Sequence, residues 1–283
     1  MKRLFCIILL YLNVCSLSYA TKYALVIGIG SYPKEYGWNK INGDKDIPYV
    51  KDMLYRNGFE ERNIKVLKNE KATASAITSE LENIIKTVTK DDVVYIHFSG
   101  HGQQITDVNG DEEDSFDEAW IPYDAHIEYK GNIYEGENHI IDDQLNNSLT
   151  QLRNKVGKNG KITVVSDACH SGDGTRSEEE ESEYIIRGVS KNFIIPNVQK
   201  KYLSKTDNID WIYISACEQG QSNYEFQGKG SLTYALSIIG SDLSNLPCDE
   251  VHRSIRNTIR DKVLRVQTPT FEKPTKSSQN SLF

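Results

Sequence analysis

The sequence predicts an α/β fold, a three-layer α/β/α sandwich around a mostly parallel central sheet. Two observations carry this expectation. Short apolar runs alternate with amphipathic segments of helical period along most of the chain. Two of the apolar runs break off into glycine-flanked turns that hold His and Cys, at the strand ends where open α/β sheets bind ligands.

Each element has its own signal. Residues 23–29 form a continuous apolar run ending in Gly28-Ile29-Gly30, as a buried strand feeding a turn does. A helix follows over 46–57, with Pro48 in its first turn and Gly58 just past its end. Residues 63–67 read as a short strand. The stretch 73–88 sets Ile77, Leu81, Ile84, Ile85 and Val88 on one helical face. Residues 92–99 are the next strand, followed by a glycine-containing acidic loop. A helix over 141–152, strands over 161–166 and 211–215, and helices over 231–239 and 249–266 complete the series. The last helix carries Val251, Ile255, Ile259 and Val263 at helical spacing. The stretch 172–205 interrupts the pattern with Glu178–Glu181, six basic residues and little periodicity, and reads as a loop or linker.

The 283 residues carry 26% charged residues and a net charge of −7, ordinary for a globular protein and unlike the basic face that nucleic-acid binding needs. Lys2 and Arg3 precede an apolar run to Leu17, with Ser18-Tyr19-Ala20 behind it. This is the pattern of a secretory signal peptide spanning 1–20, and it predicts export to a periplasmic or extracellular location. Cleavage there leaves 263 of the 283 residues. It removes Cys6 and Cys15 with two basic residues and no acid, so the charge becomes −9. No stable membrane insertion is expected afterwards. Cys169, Cys217 and Cys248 remain, an odd number that argues against a disulfide framework.

The chemistry is expected where the strands over 92–99 and 161–166 end. The first runs into Gly100-His101-Gly102, the second into Asp167-Ala168-Cys169-His170-Ser171-Gly172. Neighbouring strands would bring His101 and Cys169 together, the pairing that thiol catalysis requires. The backbone N–H groups of Gly102 and Cys169 would then form an oxyanion hole. Competing patterns are weaker. His97 and His101 lie about 13 Å apart along a strand, too far for a zinc pair. Cys169 and Arg176 have one residue too many between them for a phosphatase loop, and Gly28-Ile29-Gly30 lacks the third glycine of a dinucleotide loop. Cys217, in an apolar run, reads as core.

At these residues the sequence resembles the caspase-fold cysteine peptidases, specifically the metacaspase and bacterial metacaspase-like branch (peptidase C14 type). The match rests on residues 97–102 and 167–172 and extends from about residue 23 to about 269, including 211–218, 230–236 and 267–269. The resemblance implies one caspase-like domain over 21–271: a large-subunit-like part 21–172, a linker 173–205 and a small-subunit-like part 206–271, with a tail over 272–283. It implies a Cys169 nucleophile, a His101 general acid/base, and cleavage of protein or peptide substrates after Arg or Lys. A basic side chain before the scissile bond needs buried carboxylates. Asp46 and Asp167 match the family's pocket acids, and Ser99 matches a pocket-lining serine. Self-cleavage in the linker at Arg176, Arg187, Lys200, Lys201 or Lys205 is a further expectation.

Residues 107–118 hold seven carboxylates, a density of hard oxygen donors that favours Ca2+. The family's calcium ligands map onto Asp117, Asp142 and Asp143, with Asp173 near the fourth position but out of register. No organic cofactor is expected, and the oligomeric expectation is a monomer. The competing readings are a non-catalytic caspase-like binding or signalling module, and a clostripain- or gingipain-like peptidase with a rearranged pocket.

Overall fold

The computed structural model describes residues 20–169, 185–198, 209–240, 243–274 and 279–283. The expected signal segment up to Tyr19, and Asp173, Arg176, Lys200, Lys201 and Lys205, lie outside the described residues.

The chain begins with β1 (Lys22–Gly28), α1 (Gly43–Arg56), β2 (Ile64–Lys68), α2 (Ala74–Thr87) and β3 (Val93–Ser99). Three short strands follow, β4 (Gly102–Thr106), β5 (Phe116–Trp120) and β6 (Ile140–Ile141), then α3 (Asp142–Val156) and β7 (Lys161–Asp167). The remainder is β8 (Ile212–Ser215), β9 (Glu225–Phe226), β10 (Lys229–Gly230), α4 (Ser231–Ile239), α5 (Cys248–Lys262) and β11 (Thr270–Glu272). The central sheet has the order β11-β8-β7-β3-β1-β2, parallel throughout except at the β11 edge.

Both faces of the sheet are buried, which is why its strands read as continuous apolar runs. Leu25, Ile27, Val94, Ile96 and Val164 pack with α2 and α3 through Ile77, Leu81, Leu149 and Leu152. Ala24, Val26, Tyr95, Val165 and Ile214 face α1, α4 and α5 through Val50, Leu54, Leu236, Val251 and Ile255. The expected three layers are therefore present. Thr73 caps α2 through its hydroxyl, which accepts from the Ala76 amide at 3.2 Å.

Four features depart from expectation. The α1 helix starts at Gly43, three residues early, so Asp46 lies inside its first turn. Gly43 permits this entry: a Cβ there would sit 2.4 Å from the Ser99 carbonyl. The stretch after β3 is not only an acidic loop, since β4, β5 and β6 form an antiparallel sheet and the acids gather in its connecting turn. Within the linker, residues 185–198 pack on the body: Arg187 and Phe193 are both 0% exposed, and Phe193 bridges to Ile105. Finally, the last five residues of the expected tail are docked. The Phe283 ring lies 5.0 Å from Phe59 and 5.3 Å from Tyr95, and Thr163 donates to the Leu282 carbonyl at 2.7 Å.

Candidate active site

β3 and β7 are neighbours, paired in parallel with Ser99 opposite Asp167. Their C-terminal ends therefore deliver His101 and Cys169 to one edge of the sheet. The His101 ring is 1% exposed and packed against Trp38 and Tyr32, with centroids 5.1 Å and 5.3 Å away. Its Nε2 lies 2.8 Å from the Asn39 carbonyl. A carbonyl only accepts, so this bond places the proton on Nε2 and leaves Nδ1 as a lone pair. Nδ1 has no hydrogen-bond partner among the described residues. Burial lowers the imidazole to about 4, so it is neutral at neutral pH.

The Cys169 thiol donates to the Gln221 carbonyl at 2.8 Å, and its backbone N–H donates to the Arg187 carbonyl at 2.7 Å. The segment around Arg187 runs through the site as an added strand. Arg187 N–H donates to the Asn223 carbonyl at 2.9 Å, and Glu225 N–H to the Ile185 carbonyl at 2.9 Å; Ile186 bridges Tyr224 in antiparallel fashion. Gly188 makes a parallel bridge to Gly102, beside His101. A Cβ on Gly188 would stand 2.6 Å from the Cys169 carbonyl oxygen and 2.9 Å from its Cβ, so only glycine fits over the cysteine. The Arg187–Gly188 peptide thus lies across the residues expected to react.

The Arg187 side chain fills a buried acidic pocket. Nη1 donates to Asp46 Oδ2 at 2.7 Å and to Ser99 Oγ at 3.1 Å, and lies 3.6 Å from Asp167 Oδ1. Nε donates to Glu225 Oε1 at 3.1 Å. The acids are held in turn. Ser99 donates to Asp46 at 2.6 Å, Thr233 donates its amide and hydroxyl to Asp167 at 2.7 Å and 2.6 Å, and Asn42 holds Glu225 through its amide. The Thr233 amide belongs to the first turn of α4, where unpaired N–H groups favour an anion. Burial raises the Asp46 carboxyl to about 6, against the opposing pull of Arg187. Gly230 closes the pocket wall, since a Cβ there would be 2.1 Å from Asp167 Oδ2. His97 braces it from below, bonded to the Tyr95 and Thr233 hydroxyls at 2.9 Å and 3.1 Å.

The structure thus brings Asp46, Asp167, Ser99, His101, Gly102 and Cys169 together at one sheet edge. Two participants were missed. Glu225 is a lone acid in a two-residue strand and carries no local signal. Cys217 was read as core; it lies past the end of β8, is partly exposed, and its thiol is in contact with that of Cys169.

The acidic turn forms a separate cluster. One carboxylate oxygen from each of Asp107, Asp111 and Asp117 lies within 4.8 Å of the others, as do those of Glu112, Glu118 and Asp142. The expected ligands thus divide between two groups: Asp117 sits with Asp107 and Asp111, Asp142 with Glu112 and Glu118, and Asp143 accepts from the Asn109 amide. Asp117 is 3% exposed, and one of its oxygens has no hydrogen-bond partner among the described residues. Burial, then the charges of Asp142, Asp107, Asp143 and Asp111, raise its carboxyl to about 8. Asp114, in the same turn, accepts from Gln219 at 2.7 Å, which ties the turn to the 217–221 loop beside Cys169.

Comparison with known proteins agrees with this fold. Residues 21–279 match the family model described as Caspase domain, Peptidase C14. Metacaspase-1B of Aspergillus fumigatus is 30% identical over 158 residues, covering 53% of this chain and 35% of that protein. Metacaspase-1 of Cryptococcus neoformans is 23% identical over 256 residues, covering 75% of this chain and 53% of that one. The chain thus spans about a third to a half of the length of these curated relatives. The crystal structure of protein GSU0716 from Geobacter sulfurreducens shares the fold, with a TM-score of 0.63 at 22% identity over 90% of this chain and 94% of that one. The chain belongs to the caspase-domain family of C14 peptidases.

Proposed function

We propose that this protein is a cysteine endopeptidase that cleaves after Arg or Lys, with its own Arg187–Gly188 bond as the first substrate. One observation carries the reading: Arg187 sits in a pocket of three carboxylates while its carbonyl oxygen accepts from the Cys169 N–H at 2.7 Å. That is the arrangement of a substrate poised for acyl transfer.

In the proposed reaction, Cys169 Sγ attacks the Arg187 carbonyl carbon and its proton passes to His101 Nδ1. The oxyanion is held by the Cys169 N–H, with the Gly102 N–H as second donor. His101 then protonates the Gly188 nitrogen, the C–N bond breaks, and a thioester remains for water to hydrolyse. The Nε2–Asn39 bond holds the ring in the required tautomer through both transfers. The clan alternative of clostripain or gingipain type expects Asp46 apart from the cysteine; here Asp46 shares the pocket with Asp167. A non-catalytic module has no need for a thiol and an imidazole on either side of a docked peptide bond.

Calcium activation belongs to the same reading. Asp107, Asp111 and Asp117 fit a hard cation, because their oxygens converge and Asp117 keeps a buried oxygen without a partner. An ion there would neutralise the cluster and order the turn that Asp114 links to Gln219. Export is proposed from residues 1–20 alone, and N-terminal sequencing of protein from the culture medium or periplasm, expected to begin at Thr21, tests it.

Intact-mass analysis of full-length protein tests the central claim. Two fragments are expected, one ending at Arg187 and one starting at Gly188, with Cys169→Ala remaining a single chain. Cleavage elsewhere, or cleavage by Cys169→Ala, overturns it.

A further inference from the structure

Cys217 has no part in the proposed reaction, yet it stands against the nucleophile. The Cys169 and Cys217 thiols both donate to one acceptor, the Gln221 carbonyl, at 2.8 Å and 3.4 Å. They follow the ends of β7 and β8, neighbouring parallel strands with Ser166 opposite Ser215. Continued past the strand ends, that register sets Cys217 opposite Ala168, one residue out of step with Cys169; a strand spacing of about 4.8 Å and a rise of about 3.3 Å per residue put the two within the Cα separation of about 4.4–6.8 Å that a disulfide spans. No disulfide links the two in this structure. Cys169 is fully buried beneath the docked segment, whereas Cys217 is partly exposed and lines an acidic pocket with Glu118, Asp142 and Tyr213.

We propose that Cys169 and Cys217 form a reversible disulfide under peroxide, switching the enzyme off and sparing its nucleophile from irreversible oxidation. The consequence for activity rests on the proposed role of Cys169; the bond itself does not. Hydrogen peroxide oxidises the Cys169 thiol to a sulfenic acid, releasing one water. The Cys217 thiol then attacks that sulfur, the S–O bond breaks, and hydroxide leaves with the thiol proton as a second water. Two thiols and one peroxide thus give one disulfide and two waters, and a dithiol reductant reverses the bond by exchange.

The contact assigns the two roles. Cys217 is held protonated, because its hydrogen bond with Cys169, burial and nearby negative charge all raise its thiol well above the ordinary range. A poor thiolate is a poor first target for peroxide, but it stands close enough to trap the sulfenic acid once formed. Cys248 lies at the start of α5, packed with Val251 and Ile255 in the opposite core, and gives an internal reference for non-specific oxidation.

The test uses full-length protein, treated with hydrogen peroxide, blocked with an alkylating agent and mapped without reduction. The expected product is a Cys169–Cys217 cross-linked peptide lighter by two hydrogens than its reduced halves, with Cys248 still alkylated. Arginyl-amide hydrolysis is expected to fall by about tenfold or more in step with the cross-link and to return with dithiothreitol, whereas Cys217→Ser loses activity without recovery. A map showing Cys169 only as sulfinic or sulfonic acid, or still reduced after peroxide has oxidised Cys248, overturns the proposal. Absence of hydrolysis before any oxidation would count against the peptidase reading and leaves the peptide map to decide the disulfide.

Discussion

Two groups of carboxylates lie within reach of the same sheet edge, and they differ in how their charge is met. In the pocket, Asp46, Asp167 and Glu225 surround the Arg187 guanidinium, and serine, threonine and asparagine donors hold the acids in place. In the turn, Asp107, Asp111 and Asp117 converge without an ion pair to any Lys or Arg among the described residues, and Asp117 keeps an orphaned oxygen. The first group is an anion site whose counter-ion is covalently part of the chain. The second has the geometry of a cation site with no cation in the chain to fill it. Burying carboxylates is costly in either case; what distinguishes the two is whether the compensating charge can leave.

The comparison breaks most sharply at Asp167. Asp167→Asn removes one buried charge facing the guanidinium, a loss of about 3–5 kcal/mol. Hydrolysis of an arginyl peptide amide is expected to fall by about 10²- to 10⁴-fold. Alkylation of Cys169 by a small neutral electrophile should change little. An equal loss in both assays would mean that Asp167 supports the fold rather than the specificity.

Arg187→Gln tests the claim that the chain supplies its own counter-ion. It leaves three buried acids facing each other, so the variant is expected to melt several degrees below the parent. Millimolar arginine or benzamidine should restore part of that loss by occupying the pocket. If Arg187→Gln melts at the parent temperature, the pocket is not compensated in the way described.

The smallest effect is expected in the acidic turn. The Asp117 carboxyl is raised to about 8 in the fold from an ordinary 3.8, so the folded state holds the extra proton. Without a cation, stability from this group is present at low pH and is lost as the pH rises through that window. Calcium should reverse the trend, raising the melting temperature by a few degrees at pH 8 and much less at pH 5. Asp117→Asn should abolish the difference. A calcium shift that survives Asp117→Asn would place the ion elsewhere.

The strand-end motifs were legible because their chemistry is local: glycines, His101 and Cys169 stand in short runs that report their own turns. The layered sheet was legible for the same reason, since a strand buried on both faces must be apolar along its length. Arg187 was not. Its burial depends on Asp46, which is 141 residues away in sequence, and nothing in its neighbourhood distinguishes it from the other basic residues of the linker. Cys217 was misread because an apolar run continues to Ala216, and only the pairing of β7 with β8 brings its thiol to Cys169. The β4–β5 pairing was hidden by the acids of its turn, which dominate the composition of a segment whose strands are short.

Gly188 gives the docked segment a temporal meaning. Because the Arg187–Gly188 bond is held in the site by its own chain, its proposed cleavage would be a first-order event whose half-time does not depend on protein concentration. While that bond is intact, any incoming peptide competes with a tethered rival, and its apparent affinity is multiplied by the small fraction of molecules whose pocket is vacant. In the proposed reaction the segment would then act as a built-in delay, fixed by the chemistry of one peptide bond, between folding of the protein and its first encounter with a foreign substrate.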